Sequence, residues 1–490
     1  MPNQLSFLVY TFLGLPLVAL VIFNLLGKNI MEKAYIPTGI AICVVQMASA
    51  VVSLLLLSEY QKDAITFSEF WNYQQYEGAA YFSPDTFSFL ALLCVGMVAL
   101  MAFLVALPML KEKRFNFSNV MLTLLLGMNG IALVYDLFSL YVFIEVTALS
   151  TFVLISLYRD AKGLEGAFKY LVMSAIASAF MLTGLALIFL NSGSLQYDAV
   201  RELLANWKEC ANPTLMLVAF IMLIAGFSIK AGVAPFHGWL PDAYQSAPAP
   251  VSVVMGGIVT KMAGVYAIIR LVGDLLTESS VVNVAFMLLG LFSIMLGALA
   301  AIGVTDFKRI LAFSSVSQIG YIVLGISSGS PLGFAGAVLH FFNHATFKTT
   351  LFVNSAAVES QTGTTDIDKL GGLHKQMPIT GTSNVLAFLS TAGIPPLAGF
   401  WSKLLIIIAV WQTHGGVVAG IALFASIFTA TYFLLLQRKV FFGSAKEELK
   451  DVHEAKFSIR LASIILTCVT VGVGIIFPWI LQALQAQGWL

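Results

Sequence analysis

Apolar runs long enough to cross a bilayer follow one another along nearly all of this 490-residue chain. A spanning helix needs about 20 predominantly apolar residues. Inside the hydrocarbon each backbone N–H and C=O must be paired within its own segment, so such runs fold as helices. About fourteen spans are read on this rule. Their approximate limits are 5–26, 36–58, 85–109, 117–135, 137–158, 168–191, 214–236, 248–272, 281–303, 310–327, 332–356, 379–411, 415–437 and 458–484. The expected fold class is an all-α polytopic membrane protein. Charge content agrees: 10% of residues are charged and 59% hydrophobic, where soluble domains carry roughly 25% charged residues.

Several function classes drop out. Net charge is +1, so no basic footprint for nucleic acid is present. Cys43, Cys94, Cys210 and Cys468 are scattered without CxxC spacing and read as small membrane hydrophobes. Neither a phosphate-binding GxxxxGK[ST] nor a dinucleotide GxGxxG motif occurs. The expectation is therefore no cofactor and no metal in this chain. The first apolar run lacks a basic flank and a small-residue cleavage site, and reads as a retained helix.

Two spans are broken by their own composition. The seventh runs from Lys230 into Pro235 and on through "APFHGWLPDAY". The twelfth is too long for one straight helix and contains Gly393, Pro395, Pro396 and Gly399. Non-helical backbone at membrane depth is tolerated only where protein buries it or water lines it. "APFHGWL" (Ala234–Leu240) and "PPLAGFW" (Pro395–Trp401) share proline, two residues, glycine and an aromatic, and each lies beside an intramembrane lysine, Lys230 or Lys403. Proline- and glycine-interrupted spans in corresponding places point to a transporter with a midplane ion path. Basic residues collect after odd-numbered spans (Lys28, Lys33; Lys111, Lys113, Arg114; Arg159, Lys162; Lys308, Arg309; Arg438, Lys439, Lys446). The loops after spans 2 and 8 lean acidic (Glu59, Asp63, Glu69, Glu77; Asp274, Glu278). The positive-inside rule then makes the basic loops cytoplasmic and both termini external.

Glu145, Lys230, Lys261, Lys348 and Lys403 lie inside apolar runs. A charge at the bilayer centre costs several kcal/mol unless paired or hydrated, which makes each a functional candidate. Burial disfavours an ammonium and a nearby carboxylate restores it, so a Lys/Glu pair of variable separation can load and release a proton. Glu145 and Lys230 are the expected pair, and Lys261 a central relay. His340, His344 and Lys348 recur every four residues, which puts them on one helix face. Histidine titrates near neutral pH and suits proton exchange. Two histidines at that spacing can also hold zinc, but "HFFNH" lacks the HExxH glutamate and no third ligand is visible. Lys403 is the expected terminal site. His237, Asp242 and Asp136 lie near membrane edges as candidate groups for admitting protons. The stretch 444–456, "SAKEELKDVHEAK", is mixed-charge and is expected to be a solvated cytoplasmic helix.

The segments "IKAGVAPFHGWLPDAYQSAPAPVS", "DFKRILAFSSVSQIGY", "HFFNHATFKTTLF", "TGTTDIDKLGGL" and "AGIPPLAGFWSK" resemble the antiporter-like subunits of Mrp-type sodium/proton antiporters, of membrane-bound [NiFe] hydrogenases and of respiratory complex I. The resemblance covers roughly residues 85–440. It implies fourteen helices, broken helices 7 and 12, and two inverted five-helix repeats. The domain limits that follow are 1–110 for the first three helices, 111–275 and 276–440 for the repeats, and 441–490 for a linker and last helix. It also implies that Glu145 and Lys230 take the helix-5 and helix-7 pair. Lys261 takes the helix-8 lysine, His340, His344 and Lys348 the helix-11 connection, and Lys403 the helix-12 terminal residue.

Lysine at that last position counts against the complex I subunit nearest the middle of the pump, which typically has glutamate there. One helix past the second repeat, without a long lateral helix, counts against the distal one. The resemblance thus favours a D-type Mrp subunit or a membrane-bound hydrogenase or ferredoxin-driven relative, in a cytoplasmic membrane. A proton-pumping subunit of a complex I-type NADH–quinone oxidoreductase is the alternative. Implied partners are small hydrophobic membrane subunits, with iron–sulfur or [NiFe] subunits as further candidates. The implied cargo is H+, with Na+ as a second candidate, although no cluster of oxygen ligands for a hard cation is obvious. A lipid or polysaccharide flippase would favour basic, aromatic-lined cavities over titratable groups spread one to a helix. A purely structural anchor would not need the intact titratable set.

Overall fold

In the computed structural model, residues 2–30, 33–60, 84–205, 212–276, 280–444 and 446–486 are described. Asp63, Glu69, Glu77, Cys210 and Glu278 of the sequence reading lie outside them. The chain runs as α1 (Pro2–Ile30), α2 (Tyr35–Tyr60), α3 (Thr86–Met109), α4 (Arg114–Leu133), α5 (Leu137–Ile155) and α6 (Ala161–Ser192), followed by a short helix at Tyr197–Ala205. Next come α7 (Pro213–Ala231), α8 (Trp239–Ser246), α9 (Ala249–Leu276), α10 (Ser280–Ile302), α11 (Phe307–Ile326) and α12 (Pro331–Thr362). The last are α13 (Pro378–Ala392), α14 (Ala398–His414), α15 (Gly416–Gln437) and α16 (Phe457–Ala486).

Twelve spans among the described residues are long and apolar enough to cross a membrane. Span 12 of the sequence count is split between α13 and α14, of 15 and 17 residues. Span 11 lies in α12, whose polar content (His340, Asn343, His344, Lys348, Asn354) keeps it outside the apolar set. Burial sorts the helices into layers. In α9 every residue of the apolar window is buried, and in α11 89% are, whereas α1, α2, α6, α10, α15 and α16 bury only 28–39%. The outer helices therefore present apolar side chains outward, as lipid contact requires. The central ones, with α12 packed among them, carry the polar side chains.

Helix ends follow their sequence signals. The Asp136 carboxylate accepts from Ser139 N at 2.7 Å and starts α5; Asp306 accepts from Arg309 N at 2.9 Å and starts α11. Such oxygens satisfy amides that have no partner inside the helix. Asp136 also forms a β-bridge with Gln196, and Asp306 forms one with Asp366, 170 residues later in both members. Between these points lie α6 and α12, each of 32 residues, ending on left-handed Gly193 and Gly363.

Both proline breaks are present. α7 stops at left-handed Gly232, and α8 starts seven residues later after a turn through Pro235. α13 stops at left-handed Gly393, and α14 resumes after Pro395 and Pro396. Positive φ favours glycine at both stops. Backbone groups freed at the breaks find new partners: Ala234 N donates to Ser293 Oγ (3.0 Å), Trp239 Nε1 to Ile229 O (3.0 Å) and Gly399 N to Ser390 Oγ (3.1 Å).

One expectation is overturned. Among its described residues, the 444–456 stretch has no helix beyond a single 3-10 turn at Glu447–Leu449. Glu454 folds back instead and accepts from Ile379 N (2.9 Å) and Thr380 Oγ1 (2.5 Å) at the start of α13. Satisfying those helix-end donors outweighs a short exposed helix that no tertiary contact would support.

Candidate functional site

Four of the five intramembrane ionisable groups are nearly or fully buried. Lys230 lies in the last turn of α7, where Nζ lies 2.9 Å from Glu145 Oε1 and 2.6 Å from Ser174 Oγ. Ser178 Oγ donates to the same Glu145 oxygen at 2.7 Å. α6 thus supplies two hydroxyls one helical turn apart that brace an ion pair made by α5 and α7. The pair is lopsided: the Lys230 side chain is 2% exposed and that of Glu145 24%. Glu145 sits mid-span between outward-facing Val142 and Leu149.

The other three lysines have no carboxylate partner among the described residues. Lys261 Nζ donates to Gly256 O (2.7 Å), Lys348 Nζ to Leu311 O (3.0 Å) and Lys403 Nζ to Thr391 O (2.7 Å). Each acceptor has a local reason. Gly256 and Lys261 lie in two successive π-helical turns of α9, Met255–Val259 and Lys261–Tyr266. A wide turn brings the carbonyl five residues back within reach of the side chain. Thr391 is in the last turn of α13, where carbonyls lack intrahelical partners. Lys403 also stands 4.5 Å from the centroid of the Tyr321 ring, and a ring face attracts a cation.

α12 supplies the middle of the array. His340 and His344 stack at 6.3 Å with rings 5° from parallel. His340 Nδ1 is 2.8 Å from Ser402 Oγ, one residue before Lys403, and Asn343 Nδ2 donates to the same hydroxyl at 3.1 Å. Nε2 of His340, both ring nitrogens of His344 and both amide atoms of Gln318 have no hydrogen-bond partner among the described residues. Buried polar atoms are nearly always satisfied, so these atoms mark positions that water can bridge. The direct bonds are discontinuous: none joins Lys230 to Lys261, or Lys348 to His344, among the described residues.

The edge candidates separate. Asp242 receives Lys169 from α6 (2.7 Å) and Arg309 from α11 (2.5 Å). His237 packs its ring 6.2 Å from Phe313, and Nδ1 has no partner among the described residues. Asp136 serves as the cap of α5, with its second oxygen unpartnered among the described residues. No group of three metal-ligating side chains occurs among the described residues.

Sequence reasoning missed several polar contacts. Ser174 and Ser178 are spaced four apart within an apolar run, which could have flagged them. Arg270 is itself an ionisable group inside a span. It makes a two-pronged pair with Asp85 at the start of α3, Nη1–Oδ2 2.6 Å and Nη2–Oδ1 2.5 Å, with both side chains 3% exposed. Lys308 pairs with Glu359 at 2.7 Å, tying α11 to α12.

Residues 134–429 match the profile of the family described as NADH:quinone oxidoreductase/Mrp antiporter, TM. The chain belongs to this family. It is 30% identical to the D-type Na(+)/H(+) antiporter protein of Alkalihalophilus pseudofirmus, over 86% of this chain and 87% of that one. To the N-type NADH-quinone oxidoreductase protein of Desulforudis audaxviator it is 32% identical, over 74% of each. Its fold superposes on a chain of the Mrp complex from Dietzia sp. with a TM-score of 0.87 at 24% identity, covering 99% of this chain and 97% of the other. It is therefore a multi-pass, antiporter-like membrane subunit, and these relatives are subunits of multisubunit membrane assemblies.

Proposed function

We propose that this chain moves protons through a multisubunit membrane complex by way of Glu145, Lys230, Lys261, His340, His344, Lys348 and Lys403. The observation that carries the reading is the contrast among the lysines. Lys230 has a carboxylate partner at 2.9 Å, while Lys261, Lys348 and Lys403 have only carbonyl partners among the described residues. An ammonium without a counter-ion is expensive to bury, so these sites suit protons in transit rather than fixed charge.

In the proposed cycle Lys230 passes its proton toward Lys261 when Glu145 moves away. The α12 histidines and Lys348 then hand it to Lys403 for exit, with bound water bridging the gaps. Asp242, His237 and Asp136 are proposed admitting groups. The proposed cargo is H+, and Na+ exchange at this chain is the finer alternative. The proposed organisation is 1–110, two five-helix repeats at 111–275 and 276–440, and 441–490. The matched caps and bridges of Asp136 and Asp306 support those repeats. The proposed location is a cytoplasmic membrane, and the loop charges support both termini external.

The partial exposure of Glu145 supports a neighbouring protein packed on α5, since a mid-span carboxylate facing lipid is costly. The D-type Mrp relation, or a ferredoxin-driven or hydrogenase relative, is favoured, and the D-type match over 86% of the chain supports the former. A complex I-type NADH–quinone oxidoreductase component is the second reading, favoured by the N-type match.

A mild-detergent pull-down of the tagged chain with mass spectrometry of its partners tests this. Small hydrophobic antiporter subunits alone would support a sodium/proton exchanger. Iron–sulfur or nickel–iron partners would place the chain in a redox-driven pump. Recovery of the chain without membrane partners would refute the proposed assembly.

A further inference from the structure

Where α15 leaves the membrane the chain builds a cavity of about 450 Å³, lined by Leu370, Leu435, Arg438, Lys439 and Lys446 beside the Gly443–Ser444 backbone. We propose that it binds the headgroup of an anionic phospholipid. None of the proposed relay residues lines it.

Three features of the cavity carry the inference. The first is depth. α15 has 22 residues, or about 33 Å at 1.5 Å per residue, close to the roughly 30 Å of hydrocarbon. The helix runs on through a π-helical turn at Arg438–Phe442, so Arg438, about 33 Å along from Gly416, falls where the hydrocarbon gives way to headgroups.

The second is charge. Lys439 pairs with Asp368 at 2.6 Å, and Lys446 Nζ donates to the Asp368 carbonyl. The Arg438 guanidinium has no hydrogen bond or ion pair among the described residues, while its backbone N–H is held by Leu434 O and Leu435 O. Three cations thus face one carboxylate, and the exposed guanidinium is free to grip a phosphodiester with two parallel N–H bonds.

The third is shape. A Cβ on Gly371 would come within 2.5 Å of Ser444 O, so the turn closes on the loop only with glycine there. Leu435 forms one wall and is 37% exposed, with Leu434 and Phe442 more exposed beside it. A free phosphate has no use for that apolar wall, whereas a lipid glycerol and its acyl chains do. Basic pockets beside membrane helices are a recurrent way to hold anionic headgroups.

The test uses the full chain in its purified complex, with lipid adducts counted by native mass spectrometry. Phosphatidylglycerol, phosphatidylcholine and inorganic phosphate are titrated separately. Preferential retention of phosphatidylglycerol is expected. Each basic residue near an anionic headgroup contributes about five-fold in affinity, so Arg438→Gln with Lys446→Gln should weaken retention roughly thirty-fold. The charge-keeping pair Arg438→Lys with Lys446→Arg should retain most of it, which separates lost charge from lost folding. Leu435→Asp, with all three cations intact, should also release the lipid. Equal retention by wild type and the glutamine variant would overturn the site. So would phosphate competing as well as the lipid, which would assign the cavity to a free anion.

Discussion

Replacing Lys230 by arginine separates holding a charge from releasing a proton. The ammonium is 2% exposed and bonded to Glu145 Oε1 at 2.9 Å and Ser174 Oγ at 2.6 Å. A guanidinium has donors enough for both acceptors, so the ion pair between α5 and α7 survives the substitution. Burial and the Glu145 carboxylate act on either cation alike, so the difference between the free side chains carries over. Arginine holds its proton roughly 2–3 pK units more tightly than lysine, which is about 3–4 kcal/mol on a release step. Proton movement should therefore fall by about 10²–10³-fold. Inverted vesicles with a pH-sensitive dye read the transport, and the pull-down reads assembly. Normal assembly with transport at background is expected. Normal assembly with more than about a tenth of wild-type transport would refute a cycle in which Lys230 gives up its proton.

Two further predictions concern the frame around the proposed relay. Arg270→Ala strands the Asp85 carboxylate, 3% exposed, and should cost about 3–5 kcal/mol, seen as a lowered unfolding temperature in detergent; Arg270→Met with Asp85→Asn should recover part of it. A loss below about 1 kcal/mol would mean that the pair does not hold α3 to α9. Gly264 packs on Ala231, the residue after Lys230, and a Cβ there would strike the Ala231 backbone. Gly264→Ala should cost about 1–3 kcal/mol, while Gly420→Ala in α15, with nothing within 4 Å, should be neutral or gain up to about 1 kcal/mol. Equal unfolding temperatures for these two variants would contradict the close α7–α9 approach.

The helical membrane class, the breaks at Pro235 and Pro395–Pro396, and the placing of Glu145, Lys230, Lys261, Lys348 and Lys403 inside apolar helices were legible in the sequence, whereas Arg270 was passed over. Those properties belong to single segments: the transfer energy of a run of side chains, the missing N–H of proline, the penalty on a lone charge. The four-residue rhythm of His340, His344 and Lys348 was legible for the same reason. The partners were settled by packing. Glu145 and Lys230 are 85 residues apart, and Asp85 and Arg270 are 185 apart; their bonds exist only because of how the helices pack. The carbonyls that hold Lys261 and Lys403 depend on π-helical turns in α9 and on where α13 stops. In the 444–456 stretch a mixed-charge pattern favoured a helix. The α13 amides that claim Glu454 are 75 residues away, beyond the reach of any local pattern.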